Sequence, residues 1–404
     1  MSAVLEGYHR RPRTLAGATI LQVVPTLHDE EPEARTAVEA ARALQQAGAR
    51  AIIASTSGPL LDAVRSAGAE WLPFANATVN PVKLRRNVQA LERFVTTERV
   101  DILHAFGPGA AWSARAVAAR VPLWTVTSLP DTPLRRSPVQ QFFDAAFAAG
   151  DRVIASSAYA ARPWVERYRI RGDQIAVIPH PVDVTQFAPS AVSPERIAAV
   201  RHGWEVHPAD RVLLVPGQLT LGNGQLILVD VARTLVNGGT RNVVFVLAGP
   251  NSRTPAYVEE LAQRARVRGV EALFRIVGVP RDLPAVLAAV HSVVVPPREP
   301  PILGRIVAQA QAMARPVIAS DIGVLPENLL APPRMSGDLR TGWLVKADSV
   351  ASLGRALHQA LTLDKMAYQA MAARARQFAE FMFSPESVAE ATRAVYTSLL
   401  ARDG

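Results

Sequence analysis

The chain has 404 residues, 49% apolar and 20% charged, with a formal net charge of +9. That is enough apolar material for two or three cored domains, and it excludes both a single small domain and long disordered stretches. Cysteine is absent, which removes disulfide frameworks, thiolate metal sites and cysteine nucleophiles together and agrees with a reducing cytoplasm.

Of the 44 basic residues only Lys83, Lys346 and Lys365 are lysines, so the charge is carried by arginines scattered among alanines. No aromatic stacking platform or binding module accompanies it, and the reading is no nucleic acid. No window of about 18 apolar residues is long enough for a membrane span, and the first residues lack the apolar core of a signal peptide. The expectation is a cytoplasmic protein, with peripheral membrane contact at most.

In chain order, short runs rich in β-branched residues fall at 19–25, 49–55, 100–106, 123–128, 151–157 and 175–180. Between them lie stretches such as EARTAVEAARALQQAG, with apolar residues three and four apart and Gly48 placed to end a helix. The plan repeats with runs at 211–217, 242–249, 272–278, 292–297, 316–321 and 341–346; after Asp348 only helical pattern remains. Strand, helix, strand at this spacing predicts parallel sheets covered on both faces. The fold class is therefore α/β, with two doubly wound Rossmann-like domains. The proline-punctuated stretch 187–208 separates the two series of runs. In such sheets ligands bind beyond the carboxyl ends of the strands, which puts the informative residues in the loops that follow them.

Several of those loops carry a resemblance. VPGQLTLGNGQLILVDVARTL, then LAGP, then VGVPRDLPAVLAAVHSVVVPPREPPILGRIVAQAQAMARPVIASDIG and TGWLVKADS resemble, in order, the retaining glycosyltransferases of family 4. VDILHAFGPGAAWSARAVAAR, GDRVIASSAYAA and QIAVIPHPVDVTQF are similar to landmarks of that family's N-terminal half. The resemblance implies the GT-B architecture, two Rossmann-like domains facing across a cleft. Residues 1–190 would form the acceptor-side domain, 191–380 the nucleotide-sugar side, and 381–404 a helix packing back on the first. It also implies sugar transfer from a UDP- or GDP-sugar donor in polysaccharide or glycolipid assembly; no other cofactor and no metal is expected.

The family's catalytic positions are altered here. Where the family has an arginine and a lysine after the first strand of the second half, this chain has Gln218 and Asn223. Each lost charge-assisted hydrogen bond to a diphosphate is worth roughly 1.5–3 kcal/mol. The family's two acids, separated by seven other residues, fall at Pro301 and Gln309, and its histidine after a strand of the first half falls at Leu129. In place of its glycine-rich first loop stand Thr26, Leu27, His28, Asp29, Glu30, Glu31 and Pro32. Each carboxylate about 6 Å from a phosphate costs roughly 2–3 kcal/mol at an effective dielectric near 20.

Candidate residues for a nucleotide-sugar are Gly217, Gln218, Asn223, Arg298, Glu299, Gly304, Arg305 and Gln309, with Arg281 as a further cation. Gly249 and Gly278 read as tight-turn glycines. Lys83, Arg85 and Arg86, with Arg135 and Arg136, are the acceptor-side or membrane candidates. The histidines show no metal-ligand spacing, and Ser156 and Ser157 lie in no Gly-x-Ser-x-Gly elbow. Asp131, in LPDTP, reads as a turn residue.

Three functions follow. The first is a family 4-like protein with a degenerate donor site, weakly active or inactive. The second is an active transferase with a rewired site using Arg305, Arg298 and Glu299. The third is a non-enzymatic scaffold beside an active paralogous glycosyltransferase.

Overall fold

The computed structural model describes residues 14–28, 31–76, 78–132, 134, 137–250 and 255–402. The chain forms two compact units, residues 1–181 with 385–404, and residues 182–384.

In the first unit the strands are β1 (Thr19–Thr26), β2 (Arg50–Thr56), β3 (Glu70–Pro73), β4 (Ile102–Phe106), β5 (Trp124–Ser128), β6 (Arg152–Ala155) and β7 (Ile175–Val177). They form one sheet in the order β3-β2-β1-β4-β5-β6-β7, and every pairing is parallel. Six of the seven match the predicted runs. β3 was not predicted, because EWLP is four residues without a β-branched side chain, at the sheet edge.

The helices of this unit are α1 (Pro32–Gln46), α2 (Leu61–Ser66), α3 (Pro81–Thr97), α4 (Pro108–Ala118), α5 (Pro138–Phe147) and α6 (Ala158–Tyr168). Gly48 follows α1 at φ +78°, the left-handed conformation its position called for. β1 is buried on both faces along its first six residues, as expected of a strand covered by helices on each side.

The second unit repeats the plan. Its strands are β8 (Arg211–Pro216), β9 (Val243–Ala248), β10 (Phe274–Val277), β11 (Ser292–Val295), β12 (Val317–Ser320) and β13 (Gly342–Val345). Their order is β10-β9-β8-β11-β12-β13, again all parallel. Helices α7 (Pro194–Gly203), α8 (Ile227–Asn237), α9 (Pro255–Val267), α10 (Leu283–Ala288), α11 (Arg305–Ala312), α12 (Val350–Thr362) and α13 (Lys365–Phe383) cover it. Phe187, Val192 and Trp204, from the proline-punctuated stretch, lie in the core of this unit. The last helix, α14 (Pro385–Leu400), belongs to the first unit, where Val388, Val395, Tyr396 and Leu399 share a core with Ala37, Ala41 and Leu44 of α1.

In both sheets the strand order reverses direction once, between β1 and β4 and between β8 and β11. Loops leaving neighbouring strands at such a point diverge to opposite faces and leave a crevice at the carboxyl edge. No helix among the described residues is long and apolar enough to cross a membrane.

Candidate functional site

At the reversal point of the second unit, the loop after β8 meets the loop after β11. The backbone N–H groups of Arg298 and Glu299 donate to the Gly222 carbonyl, at 2.8 and 3.2 Å. A Cβ on Gly224 would lie 2.0 Å from the Pro296 carbonyl oxygen, and one on Gly222 would lie 2.9 Å from the Glu299 carboxylate. At Gly224 only glycine permits this approach, because the obstacle is backbone, whereas at Gly222 the exposed Glu299 side chain can swing aside. A Cβ on Gly249 would likewise lie 2.0 Å from the Gly217 carbonyl oxygen, while Gly217 itself has φ +126°. The requirement for glycine at 249 is therefore close passage of the β8 loop and not a tight turn. Gly278 has neither a positive φ nor a neighbour within 4 Å of the missing Cβ, so no geometric demand accounts for it.

Gln218 and Asn223 form an internal staple. The Asn223 side-chain amide donates to the Gln218 carbonyl at 2.7 Å, and the Gln225 amide donates to the same oxygen at 2.9 Å. Tyr257 extends the chain by donating to Gln225 Oε1 at 3.1 Å while accepting from the Leu226 N–H at 3.2 Å. Burial pushes the Tyr257 hydroxyl above its ordinary pKa, so it serves here as a neutral hydrogen-bonding group. Of the two side chains at the family's cationic positions, Asn223 thus spends a donor on the loop's own backbone, while Gln218 takes part through its main-chain carbonyl.

Arg298 reaches Asp348, with Nη2 to Oδ2 at 2.9 Å and both side chains about half exposed, so its charge is partly neutralised while staying in reach of solvent. Gly304 precedes α11, and a Cβ there would lie 2.1 Å from Asn328 Nδ2. Arg305 opens that helix at the surface, whereas Gln309, one turn on, is buried. The carbonyl of Pro301 accepts from the Val324 N–H at 3.0 Å, so this position supplies a backbone acceptor and no side-chain charge. The fold brings Gly217, Gln218, Asn223, Arg298 and Glu299 together, with Gly304, Arg305 and Gln309 on the helix that follows β11. Arg281 stands apart, beyond edge strand β10, lining a cavity of about 510 Å³ with Trp204 and Val279.

The first unit holds a second cluster, at the carboxyl ends of β4 to β7. Ser156 Oγ donates to one oxygen of Asp131, and His180 Nε2 bonds to the other. Asp131 sits in a bend, as its LPDTP setting suggested, and its carboxylate also bridges the loops after β6 and β7. His180 Nδ1 makes no hydrogen bond among the described residues. Beside this trio His104 is fully enclosed, Nδ1 2.7 Å from the Tyr396 hydroxyl and Nε2 2.9 Å from Ser128 Oγ. Burial pushes His104 down to about 3 and pushes the Tyr396 hydroxyl up, so both are neutral.

His104, Ser128, Ser156 and His180 line a cavity of about 30 Å³, room for about one water. Leu129 lines it too, buried, its N–H donating to the Ile154 carbonyl at 2.8 Å; no donor stands in the histidine's place. Ser157 caps α6 by accepting from the Ala160 N–H at 3.0 Å.

Sequence spacing missed this cluster, since Asp131, Ser156 and His180 fit no short motif. The usable signal was that each follows a predicted strand by a few residues. Asp29, Glu30, Arg135 and Arg136 lie outside the described residues. Glu31 is exposed and precedes α1, its side chain making no capping bond. Lys83, Arg85 and Arg86 are exposed in the first turns of α3, which Asn80 caps by accepting from the N–H groups of Val82 and Lys83.

Residues 34–186 match the family model for Glycosyltransferase Family 4, and residues 210–362 match that for Glycosyl transferases group 1. A D-inositol 3-phosphate glycosyltransferase of Kineococcus radiotolerans is 32% identical over 257 residues, 61% of this chain and 57% of that protein. The corresponding enzyme of Corynebacterium aurimucosum is 28% identical over 59% of this chain and 54% of its own length. The chain thus matches only a little over half the length of these curated relatives.

Among solved structures, a glycosyltransferase from Rickettsia africae superposes with TM-score 0.77 at 22% identity, covering 96% of this chain and all of that one. Anabaena HepE in complex with UDP superposes with TM-score 0.70 at 18% identity, over 94% of this chain and all of that one. At these identities the likeness is one of fold, the GT-B arrangement of parallel-sheet α/β domains.

Proposed function

The chain belongs to glycosyltransferase family 4, and from that membership we propose that its second unit presents a degenerate nucleotide-sugar site at the loops after β8 and β11. It would bind a sugar nucleotide weakly and transfer the sugar slowly or not at all. Such transfer leaves a nucleoside diphosphate, and cations or helix amides aimed at the leaving charge supply much of the catalysis. The observation that carries the reading is the staple. The Asn223 amide donates at 2.7 Å to the Gln218 carbonyl, so the two residues at the family's cationic positions bring no charge and hold each other. Glu299, packed against Gly222, adds a carboxylate to the same loop pair.

A second reading, an active site rewired around Arg298 and Arg305, is favoured by the contact of Arg298 with the loop, its Cγ 3.4 Å from where a Cβ of Gly224 would stand. Calorimetric titration separates the two. The degenerate site binds UDP and UDP-glucose no tighter than about millimolar, near −4 kcal/mol. Restoring Gln218→Arg, Asn223→Lys and Gln309→Glu together then tightens UDP at least about tenfold. Micromolar binding by the native chain, lost in Arg298→Gln with Arg305→Gln, establishes the rewired site instead.

A further inference from the structure

The first unit carries a groove that neither the sugar-nucleotide site nor the buried histidine cluster uses. It runs between α3 and α4 with a volume of about 980 Å³, at the upper end of the range for ligand pockets. Its existence follows from spacing. On α3, residues 85, 88, 89, 92, 93 and 96 fall three and four apart, and on α4 and just beyond it residues 112, 116 and 120 fall four apart, so each set makes one helical stripe. Val88 is the buried floor of the first stripe. Ala116, a small residue in the middle of the second, and Trp112 line the groove, both partly buried against the core beneath.

The lining is cationic. Arg120 pairs with Glu92 at 3.0 Å, whereas Arg85 and Arg93, also on the wall, make no ion pair or side-chain hydrogen bond among the described residues. They stand two turns apart on α3, roughly 12 Å at 1.5 Å per residue. Gln89 and Thr97 add an amide and a hydroxyl between and beyond them, while the Thr96 hydroxyl donates to the Glu92 carbonyl at 2.8 Å and keeps only its acceptor capacity. Two guanidinium groups without partners among the described residues are suited to carboxylates in bidentate geometry, Trp112 adds aromatic surface to the lining where a pyranose ring could pack, and the Gln89 amide and Thr97 hydroxyl match sugar hydroxyls.

We propose that this groove binds an acidic oligosaccharide, a glycan with a carboxylate on some of its sugars. The choice of a glycan rests on reading the chain as a glycosyltransferase; the charge and shape of the groove do not. An anionic bilayer is the weaker match, because a planar surface meets helix crests, while Arg93, Gln89 and Trp112 line a concavity.

The test is direct binding without any nucleotide, so its result is independent of the sugar-nucleotide site. The full chain is titrated at low salt with a short oligosaccharide of alternating glucuronate and N-acetylglucosamine, with its carboxyl-reduced counterpart, with oligoglutamate, and with phosphatidylglycerol vesicles. The acidic oligosaccharide is expected to bind, and the reduced one to bind at least about tenfold more weakly. Arg85→Gln with Arg93→Gln should lower the affinity at least about tenfold, and Ala116→Trp, which fills the groove without changing charge, should abolish binding. All three positions are at least partly exposed, and unchanged thermal melting confirms that the variants fold. Binding to oligoglutamate as tight as to the glycan, binding to vesicles alone, or indifference to Ala116→Trp would each overturn the proposal.

Discussion

His104 shows how one side chain can make stability depend on acid. Enclosed between Tyr396 and Ser128, it is held neutral, its pKa pushed down to about 3 by burial, while in the unfolded chain it takes up a proton near pH 6.5. Stability is therefore fully present above about pH 6.5 and is lost as pH falls toward 3, by about 1.4 kcal/mol per unit. Urea unfolding at pH 7 and pH 5 should show the native chain losing about 2 kcal/mol more than His104→Gln across that interval. At constant pH, Tyr396→Phe leaves His104 Nδ1 without its partner and should cost about 1–3 kcal/mol.

Gly249 makes the corresponding case for the backbone. A Cβ there meets the Gly217 carbonyl oxygen at 2.0 Å, and backbone cannot rotate aside as a side chain can. Gly249→Ala should cost roughly 1–3 kcal/mol or more, read as a lower urea midpoint with the slope unchanged. Gly278→Ala, with open space at the same atom, serves as the control.

At the scale of elements, the strands were legible because their hydrophobic runs are continuous. A strand covered by helices on both faces needs apolar residues at every position, and only a few segments of a chain offer that. The exception, β3, sits at the sheet edge where half-exposed residues suffice. The donor-side loops were legible in another way, through the order of family motifs, which placed Gln218, Asn223 and Arg298 after the correct strands. Their hydrogen bonds were not. Nothing in the letters QLTLGN says that Asn223 turns back to the Gln218 carbonyl, because that depends on the φ of Gly217 and on the Pro296 carbonyl pressing on Gly224.

Element α14 illustrates the same limit. Its helical period was evident, but its assignment to the first unit depends on Tyr396 and Leu399 fitting the face of α1. Leu399 is fully buried in that core, so Leu399→Ala should cost roughly 2–5 kcal/mol. Amide exchange should accelerate first in α14 and α1 and in the β1 and β2 strands beneath them.

For the molecule as a whole, length, composition and the alternation of strand and helix determined that the chain builds two parallel-sheet α/β units, and the motif order determined its family. These are local properties, written into runs of neighbouring residues. Tertiary structure alone decided the chemistry at the strand ends: that Asp131 bridges Ser156 and His180 across three loops, that Asn223 staples its own loop, and that a groove lined by Ala116 runs between two helices beside arginines without partners among the described residues. Each of these joins residues distant in sequence or depends on one backbone conformation. Distances of a few ångströms between them are set by how the sheet twists and the helices pack, and no periodicity along the chain encodes that.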